Sequence, residues 1–182
     1  VTLGFFLWVL RRLIGQYPGW WMAALAFPPV YWAVGLGQNS FLTAGLLGWG
    51  MLLLAPRPFL AGLALGALCY KPHFGLLLPL VLLLGRQWTA IAGAVLMVLG
   101  LCGLTVLLFG AETWWAYVLA MQSSRDVYES GTIDFIGMAT PFGGALLAGL
   151  APATTHAVQI VAMLLTAALV GWIWARGAAL EV

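Results

Sequence analysis

The chain has 182 residues, of which 64% are hydrophobic and 7% are charged, whereas soluble domains average about 45–50% and about 25%. This composition excludes an ordinary soluble domain and indicates an integral membrane protein. The net charge of +2 is small and dispersed along the chain. It gives no basis for nucleic-acid binding, which depends on clustered basic residues.

The chain begins with Val1 rather than methionine, inside an apolar segment. We therefore expect residues 1–182 to form a single transmembrane domain that is a fragment of a longer protein. A signal peptide is not indicated, because a basic start and a small-residue cleavage site are missing. Cys69 and Cys102 lie in apolar segments without CxxC or Cys/His spacing, so neither a disulfide nor a metal site is expected.

The first third of the chain is predicted to form apolar helices separated by polar turns. The helices are expected over residues 1–10, 20–36 and 41–55, ended by Arg11-Arg12, by the polar turn 37–40 and by Pro56-Arg57-Pro58 respectively. The second is about as long as the 17–25 residues that a spanning helix needs. Pro28-Pro29 near its centre should kink it.

A cation and a helix breaker interrupt the next apolar run, residues 59–85. A charged side chain at mid-bilayer costs from about 2.5 to more than 10 kcal/mol, so it usually serves a function. Pro72 cannot donate a backbone hydrogen bond, and it disfavours a helical Lys71. We therefore predict a broken or re-entrant helix hairpin around Lys71-Pro72-His73, and we interpret it as a site. The alternative is a lysine near a helix end that merely extends to the interface.

The rest of the chain combines long apolar helices with one polar stretch. Spanning helices are expected over 88–109 and 157–174, whereas the apolar run 142–150 is too short to cross a membrane. The stretch 110–140 carries most of the acids and should include an interfacial helix over 113–121, with Trp114, Trp115 and Tyr117 at the membrane surface. Its charged residues are Glu112, Arg125, Asp126, Glu129 and Asp134.

The arginines predict how the chain is oriented. If Arg11 and Arg12 are cytoplasmic, as short basic loops usually are, then Arg57 lies on the same side. Arg86 joins them only if residues 59–85 enter the membrane and return without a full crossing. Each arm of about 12 residues would span only about 18 Å, less than the hydrocarbon core of about 30 Å. The alternative is one continuous tilted helix over 59–85, which would invert every later loop.

With the hairpin, the polar turn and the hairpin tip face outward together. Lys71 offers a point charge suited to phosphate, and His73 can donate to phosphate or carry a proton. Gln38 and Asn39 offer amide groups suited to sugar hydroxyls. Asn39 could instead cap the following helix, as could Ser40, and the acids of the 110–140 loop could be solvated charges.

Four short segments resemble, in order and spacing, those of glycosyltransferase family 87, a family that includes polyprenyl-phosphate-mannose-dependent mannosyltransferases. They are Gly37-Gln38-Asn39-Ser40, Arg57-Pro58 with Ala61-Gly62, Tyr70-Lys71-Pro72-His73 and Arg86-Gln87-Trp88. The resemblance covers residues 20–109 well and the remainder loosely. It implies an all-α, polytopic helical membrane protein of the GT-C fold in a bacterial cell membrane. The implied enzyme takes a hexose, mannose above all, from a polyprenyl-phosphate donor on the extracytoplasmic side and needs no nucleotide sugar. We expect no cofactor.

The chemistry of such a transfer assigns roles to particular residues, because a departing lipid phosphate needs cationic or hydrogen-bonding groups beside it. We therefore expect Lys71, His73 and Arg125 to bind the donor phosphate, and Gln38 and Asn39 to contact the sugar or a lipid or glycan acceptor. The apolar arms of the hairpin would border a cleft for the lipid tail. The general base of the family is expected to be an aspartate ahead of the matched region. Because the sequence has no acid before Glu112, we expect the catalytic aspartate upstream of this fragment.

Two other functions fit some of these features. A transporter or lipid flippase also uses broken helices and intramembrane charge, and Pro28-Pro29 could mark a second broken helix, although no charge accompanies it. A structural subunit could instead pair Lys71 with an acid of a partner protein.

Overall fold

The computed structural model describes residues 1–71, 77–129 and 140–176, without the side chains of 122–129. All regular elements in these ranges are helices, which confirms the predicted all-α class. The chain divides into two compact units, Val1–Leu101 and Cys102–Arg176.

The first unit holds six short helices and most of a long one. They are α1 (Thr2–Ile14), α2 (Trp20–Ala26), α3 (Pro28–Gly35), α4 (Ser40–Leu53), α5 (Pro58–Gly66) with a 3₁₀ turn (Ala67–Tyr70), α6 (Leu77–Leu84) and α7 (Trp88–Phe109). Helix α7 continues into the second unit, which also holds α8 (Glu112–Glu129), α9 (Pro141–Leu147) and α10 (Pro152–Ala175).

Two boundaries near the start differ from the predicted ones. Helix α1 continues through Arg11 and Arg12 to Ile14, because arginine is a good helix former. The guanidinium of Arg12 lies 5.5 Å from the centre of the Trp8 ring. The predicted kink is a complete break: Phe27 is extended, and Pro28 starts a new helix at its first position, where its missing N–H costs nothing.

Helices α1 and α4 run parallel to each other. Phe6 packs on Phe41 at a ring distance of 5.8 Å, and further along both helices Trp8 packs on Trp49 at 4.6 Å. Later residues of α1 contact later residues of α4, so the last turn of α1 lies beside the last turns of α4. Arg11 and Arg12 are therefore at the end of the unit where α4 finishes.

Helices α4 and α5 run in opposite directions. A Cβ added to Gly50, late in α4, would meet Leu65 of α5 at 2.6 Å. Near the start of α4, Thr43 instead forms a hydrogen bond to Tyr70 at the end of the 3₁₀ turn. Arg57, which precedes α5, is thus at the same end as Arg11 and Arg12.

Glycines bring α5 and α7 into close parallel contact. A Cβ on Gly62 would collide with the carbonyl of Ala90, and one on Gly66 would lie 2.6 Å from the carbonyl oxygen of Ala94. Gly93 in turn lies against the carbonyl of Phe59. Small residues allow this approach of backbones. The start of α7 therefore lies beside the start of α5.

This parallel arrangement decides between the two predictions for residues 59–85. Arg86, two residues before α7, shares the end of the unit that holds Arg57. The chain must then advance along α5 and come back before α7 starts. The alternative of one continuous helix is wrong, because it would put Arg86 at the far end from Arg57.

The forward arm breaks where the sequence predicts. Helix α5 tightens into the 3₁₀ turn, and Lys71 leaves helical geometry at φ −122° and ψ 87°. The returning arm, α6, ends at Leu84, and Arg86 follows with a left-handed φ of 51°. The Gln87 N–H donates to the Leu82 carbonyl at 2.9 Å, and the Arg86 N–H to that of Leu83 at 3.0 Å. This is a Schellman motif, with arginine where glycine is usual.

The second unit is held by contacts between α9 and α10. The Phe142 and His156 rings lie 5.1 Å apart, and the Phe142 N–H donates to Gln159 Oε1 at 3.0 Å. Thr140 caps α9 by accepting from the Gly143 N–H at 3.0 Å. Helix α8 is longer than the predicted interfacial helix and includes Arg125, which was expected in a loop.

Two helices in the described ranges are long and apolar enough to cross a membrane, Trp88–Phe109 and Pro152–Ala175. At most 6% of the most apolar window of either helix is buried inside the protein. A buried core helix of a soluble protein would be mostly covered, so these exposed apolar surfaces indicate contact with lipid. The structure is that of an all-α membrane protein.

Candidate functional site

A tight turn presents the two predicted amide side chains at one end of the first unit. Gly37, at a left-handed φ of 62°, ends α3. The Gln38 N–H donates to the Ala33 carbonyl at 2.9 Å, which closes another Schellman motif. Gln38 and Asn39 follow at the corner, and both are exposed.

Asn39 occupies the N-cap position of α4, but its side chain makes no capping hydrogen bond. Ser40 is the first helical residue, and its hydroxyl donates to Gln38 Oε1 at 3.3 Å. Capping by the Asn39 side chain therefore does not explain this turn. The amide of Asn39 is available for another partner.

A part-buried hydrogen bond links this turn to the end of the 3₁₀ turn. Thr43, only 5% exposed, lies 2.7 Å from the Tyr70 hydroxyl and donates to the Asn39 carbonyl at 3.2 Å. Lys71 follows Tyr70 directly and is half-buried. The structure thus brings Asn39 and the backbone of Lys71 to one end of the unit, opposite the arginines.

An apolar cleft of about 310 Å³ lies beside the hairpin. Its walls come from α5 and the 3₁₀ turn, from α6 and from α7: Leu65, Gly66, Cys69, Leu78, Pro79, Leu82, Leu83, Ile91, Ala94, Val95, Val98 and Leu99. This volume is within the range of about 300–1,000 Å³ that is usual for ligand pockets. The cleft is open on one side, since Val95 is 51% exposed and Leu99 is 64% exposed.

The other two predicted phosphate ligands, His73 and Arg125, are not part of this described arrangement. His73 lies outside the described residues, as does Asp134. Arg125 is on helix α8 of the second unit, and its side chain is not described. The roles assigned to His73 and Arg125 remain predictions.

The arrangement suits a ligand with an anionic head and an apolar tail. Cys69 lies in the wall of the cleft, and Lys71, the single lysine of the chain, follows two residues later. An ammonium group can bind phosphate as a point charge. Apolar surface buried in such a cleft contributes about 25 cal/mol per Å² to binding.

Sequence reasoning missed Thr43 and the α7 side of the cleft. A signal for Thr43 exists, because it is a polar residue in an apolar helix, four positions after Asn39. The cleft could not be located in the same way. Which side chains of α7 face the hairpin depends on how α5 and α7 are aligned, and the glycine contacts fix that alignment only in three dimensions.

Comparison with protein-family models gives a match to glycosyltransferase family 87 over residues 1–181. No curated protein sequence and no solved structure matches the chain.

Proposed function

This chain belongs to glycosyltransferase family 87, and on that premise we propose that it moves a hexose, mannose above all, from a polyprenyl-phosphate donor to a lipid or glycan acceptor. Membership of the family makes it a membrane glycosyltransferase. The donor, the sugar and the acceptor are the parts that we propose.

One observation carries the proposal: the apolar cleft lies beside the hairpin whose forward arm leads into Lys71. A polyprenyl phosphate has the matching chemistry, since its tail is purely apolar and its head is anionic. We assign the tail to the cleft and the phosphate to Lys71. His73 and Arg125 are proposed as further phosphate ligands.

Charge at the departing phosphate grows as the glycosidic bond breaks, so a cation placed there stabilises the transition state more than the ground state. Gln38 and Asn39 would hold the sugar or acceptor hydroxyls on the same side. Deprotonation of the acceptor hydroxyl needs a carboxylate base. We propose that an aspartate upstream of residue 1 supplies it.

The arginines support an orientation for this site. Arg11, Arg12, Arg57 and Arg86 share one end of the first unit, and basic residues in short loops favour the cytoplasmic side. The opposite end, with Asn39 and Lys71, would then be extracytoplasmic in a bacterial cell membrane. Donors carried on lipids suit this side, where nucleotide sugars are not supplied.

The proposal is tested with the complete protein in membranes and polyprenyl-phosphate mannose labelled in the sugar. We expect the label to appear in an acceptor lipid or glycan. If transfer occurs only from a polyprenyl-phosphate donor that carries another hexose, the proposed sugar is wrong and that hexose replaces mannose. Movement of labelled donor across the membrane without transfer would instead indicate a flippase.

Occupation of the cleft is tested through its cysteine. In the Cys102→Ser protein, alkylation of Cys69 by N-ethylmaleimide should slow by about tenfold when the donor is present at ten times its Kd, because the fraction of empty sites falls by that factor. Mass spectrometry of the modified peptide measures the rate.

The chain offers a matched control for this experiment. Cys102 is on α7 but does not line the cleft, so its alkylation in the Cys69→Ser protein should not respond to the donor. A soluble mannose phosphate without the lipid tail should protect neither cysteine. Equal rates for Cys69 with and without polyprenyl donor would show that the tail binds elsewhere.

A further inference from the structure

We propose that Thr43 and Tyr70 are a positioning pair that sets the spacing between the Gln38-Asn39 turn and Lys71. This inference rests on the proposed function for its effect on transfer. Its structural part stands on the hydrogen bonds alone.

The direction of the hydrogen bonds follows from their chemistry. A threonine hydroxyl has a single proton, and the Thr43 hydroxyl donates it to the Asn39 carbonyl at 3.2 Å. The contact of 2.7 Å between Thr43 and Tyr70 must then use the tyrosine hydroxyl as donor. A continuous chain runs from Tyr70 through Thr43 to the backbone of Asn39.

The hydrogen bond between Thr43 and Tyr70 is part-buried, since Thr43 is 5% exposed and Tyr70 is 39% exposed. Its partial removal from water makes it stronger than a fully exposed hydrogen bond. The bond to Asn39 is within one helix and already satisfies the hydroxyl proton of Thr43, an ordinary arrangement for threonine in apolar helices. The contact with Tyr70 is therefore not needed to satisfy that proton. It ties a second element to the turn.

The position of Lys71 depends on this hydrogen bond because the element that precedes it is short. The chain there is a 3₁₀ turn, whose hydrogen-bond geometry is poorer than that of an α-helix. The Lys71 N–H donates to Leu68 at 2.9 Å, and Pro72, the next residue, has no N–H to give. The Tyr70 side chain therefore helps to anchor the end of the forward arm to α4.

The function of the pair would be to keep two ligand-binding groups at one separation. Lys71 is proposed to bind the phosphate of the donor, and the amides are proposed to bind a hydroxyl. Both can bind the same donor molecule only if the distance between them matches the distance between its phosphate and that hydroxyl. Positional errors of about 1 Å can cost about 100-fold in rate. Loss of one part-buried hydrogen bond is expected to give a smaller effect, of about tenfold in kcat/KM.

The distance between the Gln38-Asn39 turn and residue 71 is measured directly with two nitroxide labels. The labels are attached to Leu36→Cys and Lys71→Cys in a protein that also carries Cys69→Ser and Cys102→Ser. Pulsed electron resonance gives the distribution of distances between the labels. We expect the distribution to broaden in Thr43→Val and in Tyr70→Phe. Thr43→Ser keeps the hydroxyl and should restore the narrow distribution.

Thr166→Val is the matched control. Thr166 also donates to the carbonyl four residues before it, Ala162, at 2.8 Å, but it is exposed on α10. The same chemical change there should leave the distance distribution unchanged. Unaltered distributions in both Thr43→Val and Tyr70→Phe would overturn the positioning role, whether or not the protein transfers sugar.

Kinetics in the unlabelled protein then tests the link to function. Thr43→Val and Tyr70→Phe should each lower kcat/KM for the donor by about tenfold. Thr43→Ser should keep kcat/KM near the wild-type value. In the double variant the effects of the two single substitutions on kcat/KM should not add. If the wild-type protein transfers no hexose, the proposed function fails while the distances still decide the positioning role. Broadened distances with unchanged kcat/KM would overturn the functional part alone.

Discussion

Replacement of Lys71 by alanine is expected to lower sugar transfer by about 100-fold or more in the complete protein. Removal of one group that stabilises developing negative charge typically costs 100- to 1,000-fold in kcat. Transfer of labelled hexose from the polyprenyl donor, measured at equal protein level in membranes, checks this. Lys71→Arg keeps the charge and should retain part of the activity, since the two cations differ in shape.

Arg57→Ala is the control for Lys71→Ala. It likewise removes one cation next to the forward arm of the hairpin, but Arg57 is exposed and lies at the opposite end of the first unit. We expect it to leave transfer near the wild-type rate. Full activity of Lys71→Ala would contradict the assignment of the donor phosphate to this lysine.

Gly62→Val is expected to destabilise the protein by about 3 kcal/mol or more, because the added carbons meet the backbone of Ala90. Overpacking usually costs about 1–3 kcal/mol when side chains can shift, and here a carbonyl group must move instead. The α5–α7 contact should open, and less folded protein should be recovered. Unfolding in mixed detergent micelles measures the difference.

The chain provides a glycine for comparison within α7. A Cβ on Gly100 would have nothing within 4 Å, so Gly100→Val should change stability far less than Gly62→Val. A Gly100→Ala variant should be neutral or slightly more stable, because alanine favours a helix by about 0.5–1 kcal/mol over glycine. Similar losses in Gly62→Val and Gly100→Val would mean that close packing of α5 on α7 does not stabilise the unit.

Features fixed by local chemistry could be predicted from the sequence. Pro72 follows Lys71, and the helix does break at Lys71. The hairpin was inferred from the break at Lys71-Pro72-His73 together with the positions of the arginines, and the parallel course of α5 and α7 confirms it. The polar turn at Gln38-Asn39 is also where the sequence indicates, because Gly37 can adopt the left-handed conformation that ends α3.

Features that depend on how helices align could not be predicted. Pro28-Pro29 is compatible with a kinked helix or with the start of a new one, and the extended Phe27 decides for the latter. The end of α8 at Glu129 lies beyond the apolar residues that suggested a helix, so hydrophobic pattern gave no signal for it. The tie between Thr43 and Tyr70 joins residues 27 positions apart, and nothing local in the sequence connects them.

Two reversals of direction separate α5 from α7, one between Lys71 and Leu77 and one at Arg86, so α7 runs in the same direction as α5. Lys71 leaves helical geometry where the first reversal begins, and Arg86 has a left-handed φ of 51° at the second. Straightening either corner would leave an odd number of reversals and would point α7 the other way. The direction of α7 therefore depends on the two reversals that precede it, and its own hydrophobicity does not determine it.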